Sequence, residues 1–192
     1  MARTDEKKER IIRVALSLFG QAGYDGTTVE EIAQKAEIAK GTVYLYYTSK
    51  DAIYRDLIVE AGKARRAYLS QSPREDGNVR LALARLITQE LRFARAEKLY
   101  YRLLSSTDRN EGSEFSEEIR RIRREFLTEL IELIRVGMLR GAIREGNPVL
   151  LGQLLAGMVR GAYQMLEENS SLTVDQIVLS ILDLLWRGWA VS

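Results

Sequence analysis

Apolar residues recur at helical spacing along nearly the whole chain, and only two prolines, Pro73 and Pro148, interrupt it. Alternating runs bounded by turn residues, the mark of a sheet, do not occur, so the pattern predicts an all-α protein. A first helix is expected from about Asp5 to Ala22, with Ile11, Ala15, Leu18, Phe19 and Ala22 on one face and Gly23 ending it. Thr28-Val29-Glu30-Glu31 fits a capping box and opens a helix that stops near Ala36. A tight Glu37-Ile38-Ala39 connection leads into another short helix from Lys40. Helices this short cannot bury a core of their own, so they need the first helix behind them.

Beyond Ser49 the expected elements lengthen. One helix covers Ser49 to about Ser70, and a polar loop follows from Ser72 to Asn78. Val79 to about Ser106 reads as one kinked helix or two consecutive ones, and Ser113 to about Arg144 as a long one. Asn147-Pro148 supplies a cap and a first-turn proline for the next helix, and Thr173-x-x-Gln176 caps the last.

Composition narrows the chemistry. Of 192 residues 46% are hydrophobic, enough for a real core, while 29 Lys and Arg against 27 Asp and Glu leave a net charge of only +2. Any basic surface must then be local. The chain has no His and no Cys, which excludes imidazole and thiolate metal sites, thiol nucleophiles and disulfides. The N-terminus is charged and the longest apolar stretch, 148–166, is broken by Gln153, Arg160 and Gln164, so a soluble cytoplasmic protein is expected. No phosphate-binding loop or nucleophile elbow is present, and the Tyr46-x-x-x-Lys50 pair stands without any dinucleotide-binding pattern. An enzyme is therefore not expected, nor a cofactor.

Helix, short helix, tight turn, short helix is the layout of a helix-turn-helix DNA reader. Between Ile38 and Lys50 there are two lysines and no carboxylate, inside an otherwise charge-balanced segment. The same stretch offers the hydroxyls of Thr42, Tyr44, Tyr46 and Tyr47 for phosphates or base edges, and Gly41 for close backbone approach. Val43 and Tyr47, four apart, read as core of the small head. Arg3, Lys7 and Lys8 read equally as an arm toward DNA or as a solvated terminus.

The run Ala15-x-x-Leu18-Phe19-x-x-x-Gly23-Tyr24-x-x-Thr27-Thr28-Val29-x-x-Ile32-Ala33-x-x-Ala36-x-Ile38-Ala39-Lys40-Gly41-Thr42-Val43-Tyr44-x-Tyr46-Tyr47-x-Ser49-Lys50-Asp51-x-Ile53 resembles the DNA-binding domain of TetR-type (AcrR-type) transcriptional regulators. The resemblance spans Ile11 to Ile53. It implies about nine helices, with a helix-turn-helix DNA-binding domain at 1–48 and a larger helical ligand-binding and dimerisation domain at 49–192. It further implies a ligand-responsive regulator, a repressor, that binds a near-palindromic double-stranded DNA operator as a homodimer. Carried over residue by residue, it makes Thr28 and Lys50 phosphate contacts, Lys40, Gly41 and Thr42 the start of the recognition helix, and Tyr44 and Tyr46 aromatic contacts. Thr28 also reads simply as a cap. Leu45 and Glu30 depart from the family pattern: a thymine-methyl contact or no contact is left for Leu45, and Glu30 stands where several relatives have a basic side chain.

The rest of the chain names its chemistry less well. Leu57, Phe93, Tyr100, Tyr101, Phe115, Ile122, Phe126, Met158, Tyr163 and Met165 are the candidate lining of an effector pocket, and ordinary core is the competing reading. The surplus of rings over polar anchors favours an apolar or amphipathic small molecule. Arg120, Arg121, Arg123 and Arg124 read as a solvent face paired with Glu117 and Glu125 at helical spacing. Gly157 and Gly161 allow close helix approach, and the last helix carries a broad stripe including Ile177, Ile181 and Leu185. A two-fold interface through these five residues is expected, against a monomer that absorbs the stripe internally.

Overall fold

The computed structural model describes residues 2–71, 77–105 and 117–189, and among them it has nine helices and no strand. These are α1 (Ala2–Ala22), α2 (Val29–Lys35), α3 (Lys40–Tyr46), α4 (Lys50–Leu69), α5 (Val79–Ala96), α6 (Lys98–Ser105), α7 (Glu117–Leu139), α8 (Pro148–Glu168) and α9 (Val174–Trp189). The all-α reading holds. The chain leaves two alternatives open between Val79 and Ser106, and the structure takes the second: α5 and α6 are separated at Glu97. The long helix ends at Leu139, earlier than Arg144, because Gly141 takes φ +70° and the Gly141 and Ala142 amides turn back onto Met138 O and Gly137 O. That left-handed residue terminates the helix as a glycine C-cap does. The expected start of that helix at Ser113 and the pocket candidate Phe115 lie outside the described residues.

The chain packs as two compact units, Met1–Ala64 with Glu97–Arg123, and Arg65–Ala96 with Arg124–Ser192. In the first, α1 packs on α2 and α6, and α2 packs on α3. Ile11, Ala15, Phe19, Ile32, Val43, Ile53 and Leu57 form its interior. In the second, α5 packs against α8 and α9 over Leu83, Ile87, Leu91, Leu155 and Val159. Asn147 caps α8 by accepting from the Val149 and Leu150 amides, at 3.0 and 3.2 Å. Thr173 and Gln176 cap α9 reciprocally, as their spacing requires. No helix among the described residues is long and apolar enough to cross a membrane.

Candidate nucleic-acid interface

The short helices are positioned from behind. Gly23 closes α1 at φ +75°, and its amide bonds to Phe19 O. Gly26 must be glycine for another reason: a Cβ there would lie 2.4 Å from Ala22 O. Thr27 is fully buried, and its hydroxyl donates to Gly23 O at 2.9 Å. The rings of Phe19, Tyr24 and Tyr54 form a cluster, with Tyr54 edge-on to both others at 4.9 Å between centroids. The Tyr24 hydroxyl donates to the Asp51 carboxylate.

Thr28 begins α2 with a complete capping box: the Glu31 amide donates to Thr28 Oγ1 at 3.2 Å, and the Thr28 amide donates to Glu31 Oε2 at 2.9 Å. Its hydroxyl donates to the same carboxylate at 3.0 Å. The cap reading of Thr28 is therefore realised. Between α2 and α3 the chain turns through Glu37 at φ +53°, a left-handed conformation that disfavours any residue with a Cβ. The turn is held by the Ile38 amide on Ala33 O, 3.0 Å. Val43 and Tyr47 point inward, and α3 turns its other faces outward.

On that outward side Gly41, Tyr44 and Leu45 are exposed, Leu45 at 83%, while Thr42 and Tyr46 are half-buried. A Cβ built on Gly41 meets nothing within 4 Å, so the protein itself does not require glycine there. Lys40 forms an ion pair with Glu30 on α2 and lies 5.8 Å from the centre of the Tyr44 ring. Both partners are half-exposed; the hydrogen bond to Lys40 lowers the Glu30 pKa, and the same bond raises that of Lys40. The departure at Glu30 thus has a definite consequence. The one cation of α3 is held by a carboxylate from the neighbouring helix.

Lys50 also has partners inside the protein. Its ammonium donates to Tyr24 O and Thr27 O, both at 3.0 Å, and sits 4.0 Å from the centre of the Tyr24 ring. These contacts staple the start of α4 to the loop that delivers α2. The lysine spacing was visible in the chain, but the two carbonyls that capture it were not. Lys8 lies 5.7 Å from the centre of the buried Tyr47 ring, which places one basic residue of α1 beside α3.

The remaining sequence candidates divide between the two units. Leu57, Tyr101 and Ile122 are buried and Tyr100 half-buried in the first. Phe93, Phe126 and Tyr163 are buried and Met158 half-buried in the second, whereas Met165 is 54% exposed and lies on the surface of α8. Gly157 and Gly161 have open space where a Cβ would stand. Ile177, Ile181 and Leu185 are inside the protomer, so the exposed apolar residues of α9 are instead Leu179 and Leu184. The Arg120–Arg124 face differs too: Glu125 does not serve Arg121 but accepts from Arg65 at 3.2 Å and from Arg66 at 3.1 Å.

Residues 11–57 match the family described as bacterial regulatory proteins, tetR family. An HTH-type transcriptional regulator of Bacillus subtilis, YuxN, is 45% identical over 53 residues, which are 28% of this chain and 18% of that protein. The negative regulator of the biofilm operon in Staphylococcus epidermidis, IcaR, is 44% identical over 48 residues, 25% of this chain and 26% of IcaR. The chain thus matches only about a fifth to a quarter of the length of these relatives. The fold extends further: a tetR-family regulatory protein from Rhodococcus superimposes with a TM-score of 0.80 at 18% identity, over 97% of this chain and 98% of that one. Residues 11–57 thus carry a helix-turn-helix head that fits the tetR-family model, on an all-helical fold that the whole chain shares with solved tetR-family proteins.

Proposed function

We propose that the protein is a ligand-responsive transcriptional repressor of the cytoplasm, binding a near-palindromic operator as a homodimer and released by a small apolar or amphipathic effector. In this reading residues 1–48 read DNA, and 49–192 sense the effector and dimerise. The observation that carries it is the outward face of α3, where Lys40, Gly41, Thr42, Tyr44 and Tyr46 stand on a helix whose opposite side is core. Gly41 supports the reading, because its bareness serves no contact within the chain and leaves the backbone open to a phosphate strand. Thr28 joins the interface through its outward position at the start of α2, with its hydroxyl exchanging Glu31 for phosphate. IcaR, matched over the same segment, is named as a negative regulator, which favours repression.

Dimerisation is supported by a stripe on α8 formed by Leu150, Leu154, Gly157, Gly161 and Met165, all on one side, together with Leu179 and Leu184 on α9. Large exposed leucines beside bare glycines suit a self-complementary helix pair. Two-fold symmetry then sets the recognition helices about 34–36 Å apart, one turn of DNA, or somewhat more.

Salt dependence tests the interface. Glu30→Gln frees Lys40 from its ion pair and removes a negative charge beside α3. Its affinity for duplex DNA is expected to rise, and the slope of log affinity against log salt to steepen by about one, as for one added phosphate contact. Unchanged affinity and slope in fluorescence anisotropy would place Lys40 and Glu30 away from DNA.

A further inference from the structure

The register of α3 decides which side chain a groove would meet first. Its inner edge is Val43, which has no solvent exposure. A helix turns about 100° per residue, so Gly41 and Leu45, two residues before and two after Val43, both stand about 160° from it, close to the opposite pole. Lys40 and Tyr44 run along one flank of that crest, and Thr42 and Tyr46 along the other. The crest itself carries no polar side chain. Leu45 is 83% exposed, the most exposed large hydrophobic residue among those described, and a Cβ on Gly41 would meet nothing within 4 Å. A helical side chain covers the turn before its own Cα, so Leu45 leans toward Gly41, where no side chain competes for its surface.

An exposed leucine alone asks for no explanation. This one stands at the crest of a face whose flanks are a lysine and three hydroxyls. A partner for that face must offer polar groups on both sides and an apolar group in the middle. Duplex DNA does so: phosphates wall the major groove, base edges floor it, and the apolar group on that floor is the C5-methyl of thymine. A protein partner would meet a single leucine ringed by hydroxyls, without the apolar centre that an interface core needs. The ion pair with Glu30 keeps the Lys40 ammonium on its flank, so no charge competes for the crest.

We propose that Leu45 is a specificity-determining residue that packs on the C5-methyl of one thymine in each half-site and thereby rejects cytosine there. This rests on the reading of α3 as the helix that reads DNA, and it adds a base to what that helix selects. Gly41 contributes by leaving the leucine's flank clear for the methyl.

Uracil differs from thymine by that methyl alone. Deoxyuridine can replace each thymine in turn in the duplex that the native full chain enriches from a random pool. One thymine per half-site is expected to matter: with uracil there, affinity in fluorescence anisotropy should fall at least about fourfold, the loss for one methyl no longer buried. Leu45→Ala should bind the thymine and uracil duplexes alike, with melting unchanged because the residue packs on so little of the protein. Leu45→Met keeps an apolar tip and should keep the preference for thymine. A native chain indifferent to uracil at every position, or a uracil penalty undiminished in Leu45→Ala, would overturn the proposal and leave α3 as a DNA reader. A native chain that enriches no duplex would overturn that reading, and the proposal with it.

Discussion

Lys50→Ala is expected to destabilise the DNA-binding head by about 2–4 kcal/mol, without altering the salt dependence of its residual DNA binding. The substitution removes two charge-assisted hydrogen bonds, to Tyr24 O and Thr27 O, and the cation above the Tyr24 ring. Two buried-side carbonyls then lose their donor at the point where the chain enters α2. Thr27, fully buried beside them, transmits the loss to the start of the capping box at Thr28. Calorimetric unfolding and amide exchange of 23–47 should both register it, and affinity should drop alike on every duplex. A surface phosphate lysine would behave oppositely, with unchanged melting and a salt slope shallower by about one. Methionine at 50 keeps the stem and loses the charge, and should recover little.

The second large effect concerns α9. Leu184→Glu is expected to give folded monomers whose operator affinity is lower by two orders of magnitude or more, since the two heads no longer share one binding event. Leu184 is 64% exposed in the protomer, so the charge disturbs no internal packing. Ile181→Glu provides the contrast. Ile181 is 5% exposed, and a carboxylate there should unfold the second unit at a cost of several kcal/mol. Sedimentation and far-UV circular dichroism separate the outcomes. A dimer that survives Leu184→Glu would move the interface to another face.

Local rules made much of the architecture legible. Both capping boxes, the Asn147-Pro148 entry to α8 and the inward positions of Val43 and Tyr47 follow from neighbours within four residues, and the structure has them all. Partners distant in the chain were not legible. Lys50 is captured by carbonyls more than twenty positions away, and Glu125 turns to Arg65 and Arg66 about sixty positions back. The stripe on α9 was read as broad because it is wide enough to serve a core face, formed by Ile177, Ile181 and Leu185, and an outer one at Leu179 and Leu184. Apolarity alone cannot say which face is which. Glu90 attracted no notice in the sequence either, since one glutamate among the arginines and other polar positions of an amphipathic helix becomes unusual only once α4 and α7 are placed around it.

In the proposed function the outward face of α3 reads a DNA sequence, with Thr42 choosing among bases. Selection from a pool of randomised duplexes, with the native chain and with Thr42→Ala, tests this most directly. The native protein is expected to enrich an inverted repeat with half-sites about one helical turn apart, and Thr42→Ala to relax or change the preferred base at one position in each half. No enrichment by the native chain, or the same repeat with the same preferences from both proteins, would contradict it.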